Sequence, residues 1–264
     1  MPTRPSPIAA IPALLLVVVA LWETCATPRY ASDVPGDKTW QKAAALVRAG
    51  YQPGDLIVFA PAWNDPVGRL HLGDLIPIET AARMDAARFA RIWELSIRGA
   101  RAPETTGLTP ETTKDIGGVT VKLYTHTPAI VVADVLTALP TIRVEGSARP
   151  TLELTEVGFA PHRCIQIVPP QGSSVRITFP QLPLGRELVG YVGLADVFTR
   201  RSPRGPGKLE IQVGGAVVAR VSAGVDDGWV RFAAPTTPGP ADVTFIASAA
   251  DPNRLICFAA EARQ

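Results

Sequence analysis

From about residue 150 to the end of the chain, apolar side chains recur at every second position, which is the period of a strand. Val175, Ile177 and Phe179 alternate with Arg176 and Thr178. Leu209, Ile211 and Val213 alternate with Glu210 and Gln212. Gly214-Gly215 separates LEIQV from AVVARV and is a two-residue hairpin signal. Asp226-Asp227-Gly228 is a second turn ahead of Trp229, and VTFI and LICF close the chain. About eight or nine short strands with no helix between them predict a β-sandwich of the jelly-roll type over 150–264. The 22 Gly and 26 Pro fit so many turns.

The period differs upstream, over 35–145. Asp37 or Thr39 can cap a helix whose apolar positions Trp40, Ala43, Ala44 and Val47 follow i, i+3, i+4, i+7 spacing, and Gly50 stops it. Leu56–Ala60 is a continuous apolar run, the pattern of a strand covered on both faces. A loop through 60–75 leads to a helix expected over 78–89, then to a strand at 91–97. The polar stretch 98–118 reads as an exposed loop. Val119, Val121 and Leu123 alternate with polar residues as a half-buried strand, and 130–139 fits a short helix or a strand, with the helix preferred. Helix–strand–helix–strand order predicts a small, partial Rossmann-like α/β domain. The expected fold class is therefore α/β plus all-β.

Ahead of both lies a leader, residues 1–30. Arg4 precedes an unbroken apolar run of 15 residues, Ile8 to Trp22. A positive end followed by such a run is an export pattern. As a helix it spans ~22 Å, short of a ~30 Å hydrocarbon core. Thr24-Cys25-Ala26 offers a modest cleavage site, so a cleaved signal and a retained membrane anchor are both open. Cys25 lacks the small-residue box of a lipoprotein site. The expected location is the inner membrane facing the periplasm, or export beyond it. In such an oxidising space Cys164 and Cys257, one in CIQIV and one in LICFA, are expected to pair.

Composition narrows the function classes. With 264 residues the chain has room for about two domains. Hydrophobic residues at 47% and charged residues at 19% supply packed cores rather than disorder. Lys plus Arg (26) nearly balance Asp plus Glu (24), leaving no positive field to collect a phosphate backbone, so nucleic acid is not an expected partner. His71, His126 and His162 stand singly, without metal-ligand spacing, and no metal or cofactor is expected. The nucleophile-elbow, phosphate-loop and dinucleotide-loop patterns are missing too.

One constellation remains in the first domain. Ligands of open α/β sheets bind beyond the carboxyl ends of strands. There the 63–74 loop carries Trp63, Asn64, Asp65, Arg69, His71 and Asp74, while Arg98 follows the next strand. If those strands are parallel neighbours, Arg69 and Arg98 can grip an anion, and Asp65 or Asp74 can accept hydrogen bonds. The same residues equally well order a long loop among themselves. The expected ligand set is Trp63, Asn64, Asp65, Arg69, Asp74 and Arg98.

Two resemblances add to this reading. The run TWQKAAALVRAGYQPGDLIVFAPAW followed by RIWELSI, residues 38–97, resembles the soluble extracytoplasmic region of bacterial polyprenyl-phosphate-sugar-dependent, protein-mannosyltransferase-type membrane glycosyltransferases. Their membrane helices and acidic catalytic residues are absent here, so the resemblance implies at most an auxiliary part in an envelope-glycan setting. VGYVGLADVFTRR, the DGW turn and the terminal FAAEAR resemble galactose-binding-like jelly-roll carbohydrate-binding modules. That resemblance implies sugar contacts from Tyr191, Arg200, Arg201 and Trp229, although Trp229 can equally anchor the sandwich core.

The sequence thus leads to a membrane-tethered or exported envelope protein, non-catalytic, that binds a cell-envelope glycan or assists a membrane glycosyltransferase. Two alternatives stay open: an enzyme acting on a glycan or lipid-linked sugar through the 63–74 loop and Arg98, and a protein–protein scaffold.

Overall fold

The computed structural model describes residues 11–32, 34–195 and 205–264. The chain divides into two compact units. One runs through Gly73 and resumes over Arg91–Thr125; the other comprises Asp74–Ala90 and His126–Gln264. The division is therefore not a single cut near residue 150.

The first unit begins with α1, Ile11–Ser32, whose apolar side chains stand exposed, Leu16 at 71% and Trp22 at 70%. Among the described residues no helix is long and apolar enough to cross a membrane. Helix α2, Asp37–Gly50, buries Trp40, Ala43, Ala44 and Val47, as its spacing predicts. It ends where a side chain has no room: a Cβ on Gly50 would lie 2.9 Å from the Trp93 ring. Strand β1, Leu56–Ala60, is buried throughout. Helix α3, Asp65–Leu72, follows, with Pro66 in its first turn. Its inner side packs so closely that a Cβ on Gly68 would meet the Phe59 ring. Helix α4, Ile78–Ala81, belongs by contacts to the second unit. The first unit resumes with β2, Arg91–Ile97, and a hairpin of β3, Pro110–Ile116, with β4, Val119–Thr125.

These strands form one sheet in the order β1-β2-β4-β3. Strands β1 and β2 are parallel, from Leu56 opposite Ile92 to Ala60 opposite Ser96, and the other pairings are antiparallel. With one parallel pair among four strands, the expected Rossmann-like layer is not supported. Three local expectations also change. The 60–75 loop contains α3, because Asn64-Asp65-Pro66 starts a helix rather than a turn. The 98–118 loop contains β3, closed by Gly117 and Gly118 at φ 59° and 94°. The helix expected over 78–89 stops at Ala81.

The second unit is a β-sandwich. Its elements are β5 (Val131–Asp134), α5 (Val135–Ala138), β6 (Arg143–Glu145), β7 (Thr151–Val157), β8 (Ala160–Ile167) and β9 (Ser174–Leu184). Then come β10 (Glu187–Leu194), β11 (Gly207–Val213), β12 (Ala216–Ala223), β13 (Val230–Pro235), β14 (Gly239–Ala249) and β15 (Ile256–Arg263). One sheet runs β13-β10-β15-β8-β7, with β5 also pairing β15; the other runs β12-β11-β14-β9-β6. The alternating residues meet between them. Phe245 packs edge-on to Phe179 at 5.7 Å and stacks on Phe258 at 4.9 Å. Segment 130–139 is both a strand and a helix, β5 then α5. Cys164 of β8 and Cys257 of β15 form the expected disulfide, Cα atoms 5.6 Å apart, between neighbouring strands of one sheet.

Residues 82–90 lie on the outer side of the six-stranded sheet and are tied to it along their length. Ala82 O accepts from Arg163 N, Met84 O from Trp229 Nε1 and Ala87 O from Ala129 N. Arg263 reaches both Asp85 oxygens at 2.9 Å. Arg88 reaches Glu261 and Asp134, each at 2.6 Å. This strap explains why every residue of β15 is buried. Ile256, Phe258, Ala260 and Ala262 enter the core; the alternate positions, including Glu261 and Arg263, face the strap.

Candidate functional site

The first expected site is only partly assembled. Strands β1 and β2 are parallel neighbours, so the segments after Ala60 and Ile97 leave adjacent strand ends. Asn64 is buried and its Nδ2 has no hydrogen-bond partner. Asp65 and Arg69, however, pair with each other one turn apart in α3, which neutralises the cation meant for an anion. Trp63 stands exposed, and Arg98 occupies a left-handed backbone position at φ 55°. Asp74 lies in the stretch that joins the second unit. Among the described residues no group of three His, Cys, Asp or Glu is placed to hold a metal ion.

The second expected site is occupied by the protein itself. Trp229 stacks on His162 at 4.4 Å and on Tyr191 at 5.9 Å, and its indole N–H donates to Met84 O. It is neither a free platform nor a core anchor: it lies on the strap side of the sheet. Burial raises the Tyr191 hydroxyl pKa, with Asp85 adding to the shift. Burial also draws His162 down to about 4. Arg200 and Arg201 fall outside the described residues.

A third arrangement lies outside both expected residue sets. On the outer face of the five-stranded sheet, polar side chains join across strands. Arg220 of β12 donates to Glu210 of β11 at 2.8 Å, and Gln212 donates to the other Glu210 oxygen at 2.8 Å. Arg176 of β9 donates to Gln212 at 3.0 Å and approaches Glu145 of β6 at 3.7 Å. Thr178 and Thr244 hydroxyls meet at 3.0 Å between β9 and β14. Glu210 is held below the usual carboxylate range by its hydrogen bonds from Gln212 and Arg220.

This ladder borders an open depression of about 430 Å³. Its floor is two cross-strand rows: Ser222, Lys208 and Ser248, then Arg220, Glu210 and Ile246. Strand spacing makes that floor about 10 Å by 7 Å, room for one sugar ring with its hydroxyls. Carboxylate and guanidinium groups are planar and can each make two parallel hydrogen bonds. The sequence carried a signal, since the outward positions of β11 and β12 hold these planar polar groups opposite one another. A second depression of about 520 Å³ is lined by Arg186, Glu187, Ala233, Ala234, Pro235 and Gln264, so it too holds a guanidinium and a carboxylate.

No family model matches the chain, and no curated protein matches it. Among solved structures it aligns with CBM51-2, in complex with GlcNAc, and INT domains of Clostridium perfringens ZmpB: 12% identity, TM-score 0.37, over 60% of this chain and 41% of that one. The chain thus spans less than half of that structure. A family 35 carbohydrate binding module from Clostridium thermocellum aligns at 10% identity and TM-score 0.34, over 51% of this chain and 98% of that one. CBM51 from Clostridium perfringens GH95, in complex with methyl-galactose, aligns at 10% and 0.34, over 49% and 100%. At such low identities and scores, none of them assigns a ligand to this chain.

Proposed function

We propose that this is a non-catalytic glycan-binding protein of the cell envelope, held at the inner membrane by its N-terminal segment or exported, and that sugar binds on the outer face of the five-stranded sheet. The observation that carries the reading is the ladder of Arg220, Glu210, Gln212 and Arg176 beside a ring-sized depression. Its groups are already oriented by one another, so little side-chain entropy is lost when hydroxyls replace water. The disulfide supports an oxidising compartment. The leader pattern supports delivery there, and an envelope glycan suits that setting, as does service to a membrane glycosyltransferase. Among the described residues no aromatic ring lines the depression, so binding rests on hydrogen bonds and is weak, Kd ~1 mM or about −4 kcal/mol per ring.

The test is a glycan array probed with the full-length protein in multivalent form. Retention of a defined set of saccharides, lost in Glu210→Gln and Arg220→Ala, is the expected result. No retention of any saccharide or cell-wall fraction overturns the proposal.

A further inference from the structure

The structure carries an apolar ridge that neither the fold nor the sugar face uses. Trp63, Val67 and Leu70 are 64%, 40% and 76% exposed. Their spacing of four and three residues lines them along one outward stripe of the Ala62–Leu72 helical stretch. The opposite side of the same stretch is packed, with Leu72 fully buried and Gly68 against Phe59. Single exposed apolar residues are ordinary on protein surfaces, but a Trp and two aliphatic side chains in register are a surface feature. The charges between them are neutralised, because Asp65 pairs with Arg69.

We propose that this ridge is a membrane-contacting foot that seats in the headgroup layer of a lipid bilayer. The inference rests on the tethering reading above. The tether length favours lipid as the occupant. Helix α1 ends at Ser32 and α2 starts at Asp37, five residue steps that reach at most ~18 Å. Helix α3 is held to α2: His71 Nε2 lies 3.3 Å from Asp37, and Arg48 donates to His71 O at 2.7 Å. Leu70 adjoins His71 in the chain, so α1 keeps the ridge close to whatever phase covers its own exposed Leu14, Leu16 and Trp22. An apolar helix of that kind calls for an apolar phase to cover it. Trp with flanking aliphatic residues suits the headgroup boundary, where the ring body is apolar and its N–H stays wet.

The experiment uses the full-length protein in a Cys25→Ser background, with the native disulfide intact. Trp63→Cys and Leu70→Cys carry an environment-sensitive fluorophore, with Val217→Cys on β12 as the control. The protein is mixed with vesicles of phosphatidylcholine and phosphatidylglycerol, and flotation is measured alongside emission. Blue-shifted emission at 63 and 70, quenched by doxyl-labelled lipid, with no shift at 217, is the expected result. Flotation with water-like emission at 63 and 70 overturns the foot and leaves the tether standing. Failure to float overturns the tethering reading and the foot with it. A blue shift without vesicles that grows with protein concentration shows a second copy on the ridge, and also overturns the proposal.

Discussion

Trp229 and His162 stack with ring centroids 4.4 Å apart and planes 15° from parallel. The strap closes over the pair: Met84 O accepts from the indole, and Arg83 O lies 3.2 Å from His162 Nδ1. Burial therefore favours the neutral imidazole and draws its pKa from 6.5 to about 4. The unfolded chain takes up this proton near pH 6.5 while the folded one waits until about pH 4. The associated stability is present above pH 6.5 and is lost as pH falls through that window. Denaturant titrations at pH 7 and pH 4.5 should show the parent losing about 2–3 kcal/mol more than His162→Phe. Equal losses in the two proteins contradict this.

Arg263, 4% exposed at its side chain, bonds to Glu261 and to both oxygens of Asp85. Burial raises Glu261, and Arg263 and Arg88 oppose that rise. Removing the central cation leaves two carboxylates without it. Arg263→Ala should cost about 3–5 kcal/mol, and adding Glu261→Gln should restore part of the loss. Thermal and urea unfolding of the single and double variants measure it. A loss under 1 kcal/mol would show that the strap is held without Arg263.

The Cys164–Cys257 bridge closes a stretch of 93 residues. Chain-entropy reasoning assigns such a closure about 4.6 kcal/mol. Reduction, or the double Cys→Ala variant, should lower the melting temperature markedly while leaving far-UV dichroism at low temperature unchanged. An unaltered melting temperature on reduction goes against the bridge as a stabilising element.

Alternation made much of the sandwich legible. The Gly214-Gly215 hairpin is real, with φ of 57° and 84°. The equivalent Gly117-Gly118 pair gives no readable hairpin signal, because β3, PETTKDI, is exposed along nearly its whole length and shows no apolar alternation. The helix expected over 78–89 failed for the opposite reason. Ala81, Ala82 and Ala86 repeat at roughly helical spacing, yet they are buried in a segment that lies flat on a sheet and is not helical beyond Ala81. In sequence Trp229 reads as facing either solvent or the core, because a sheet has two faces and the strap covering the outer one comes from more than 140 residues earlier. The polar ladder joins Glu210 and Arg220 across the β11–β12 hairpin, but Arg176 and Glu145 reach it only by strand order. Along any one strand they look like an ordinary wet face.

Glycan binding on that wet face is the central claim. The most direct test is nuclear magnetic resonance titration of the full-length protein with the saccharides an array selects. The account predicts saturable shifts confined to Lys208, Glu210, Arg220, Ser222 and Ser248, absent in Glu210→Gln. Shifts centred instead on Trp63, Arg98 or Trp229, or no shifts at millimolar sugar, would contradict it.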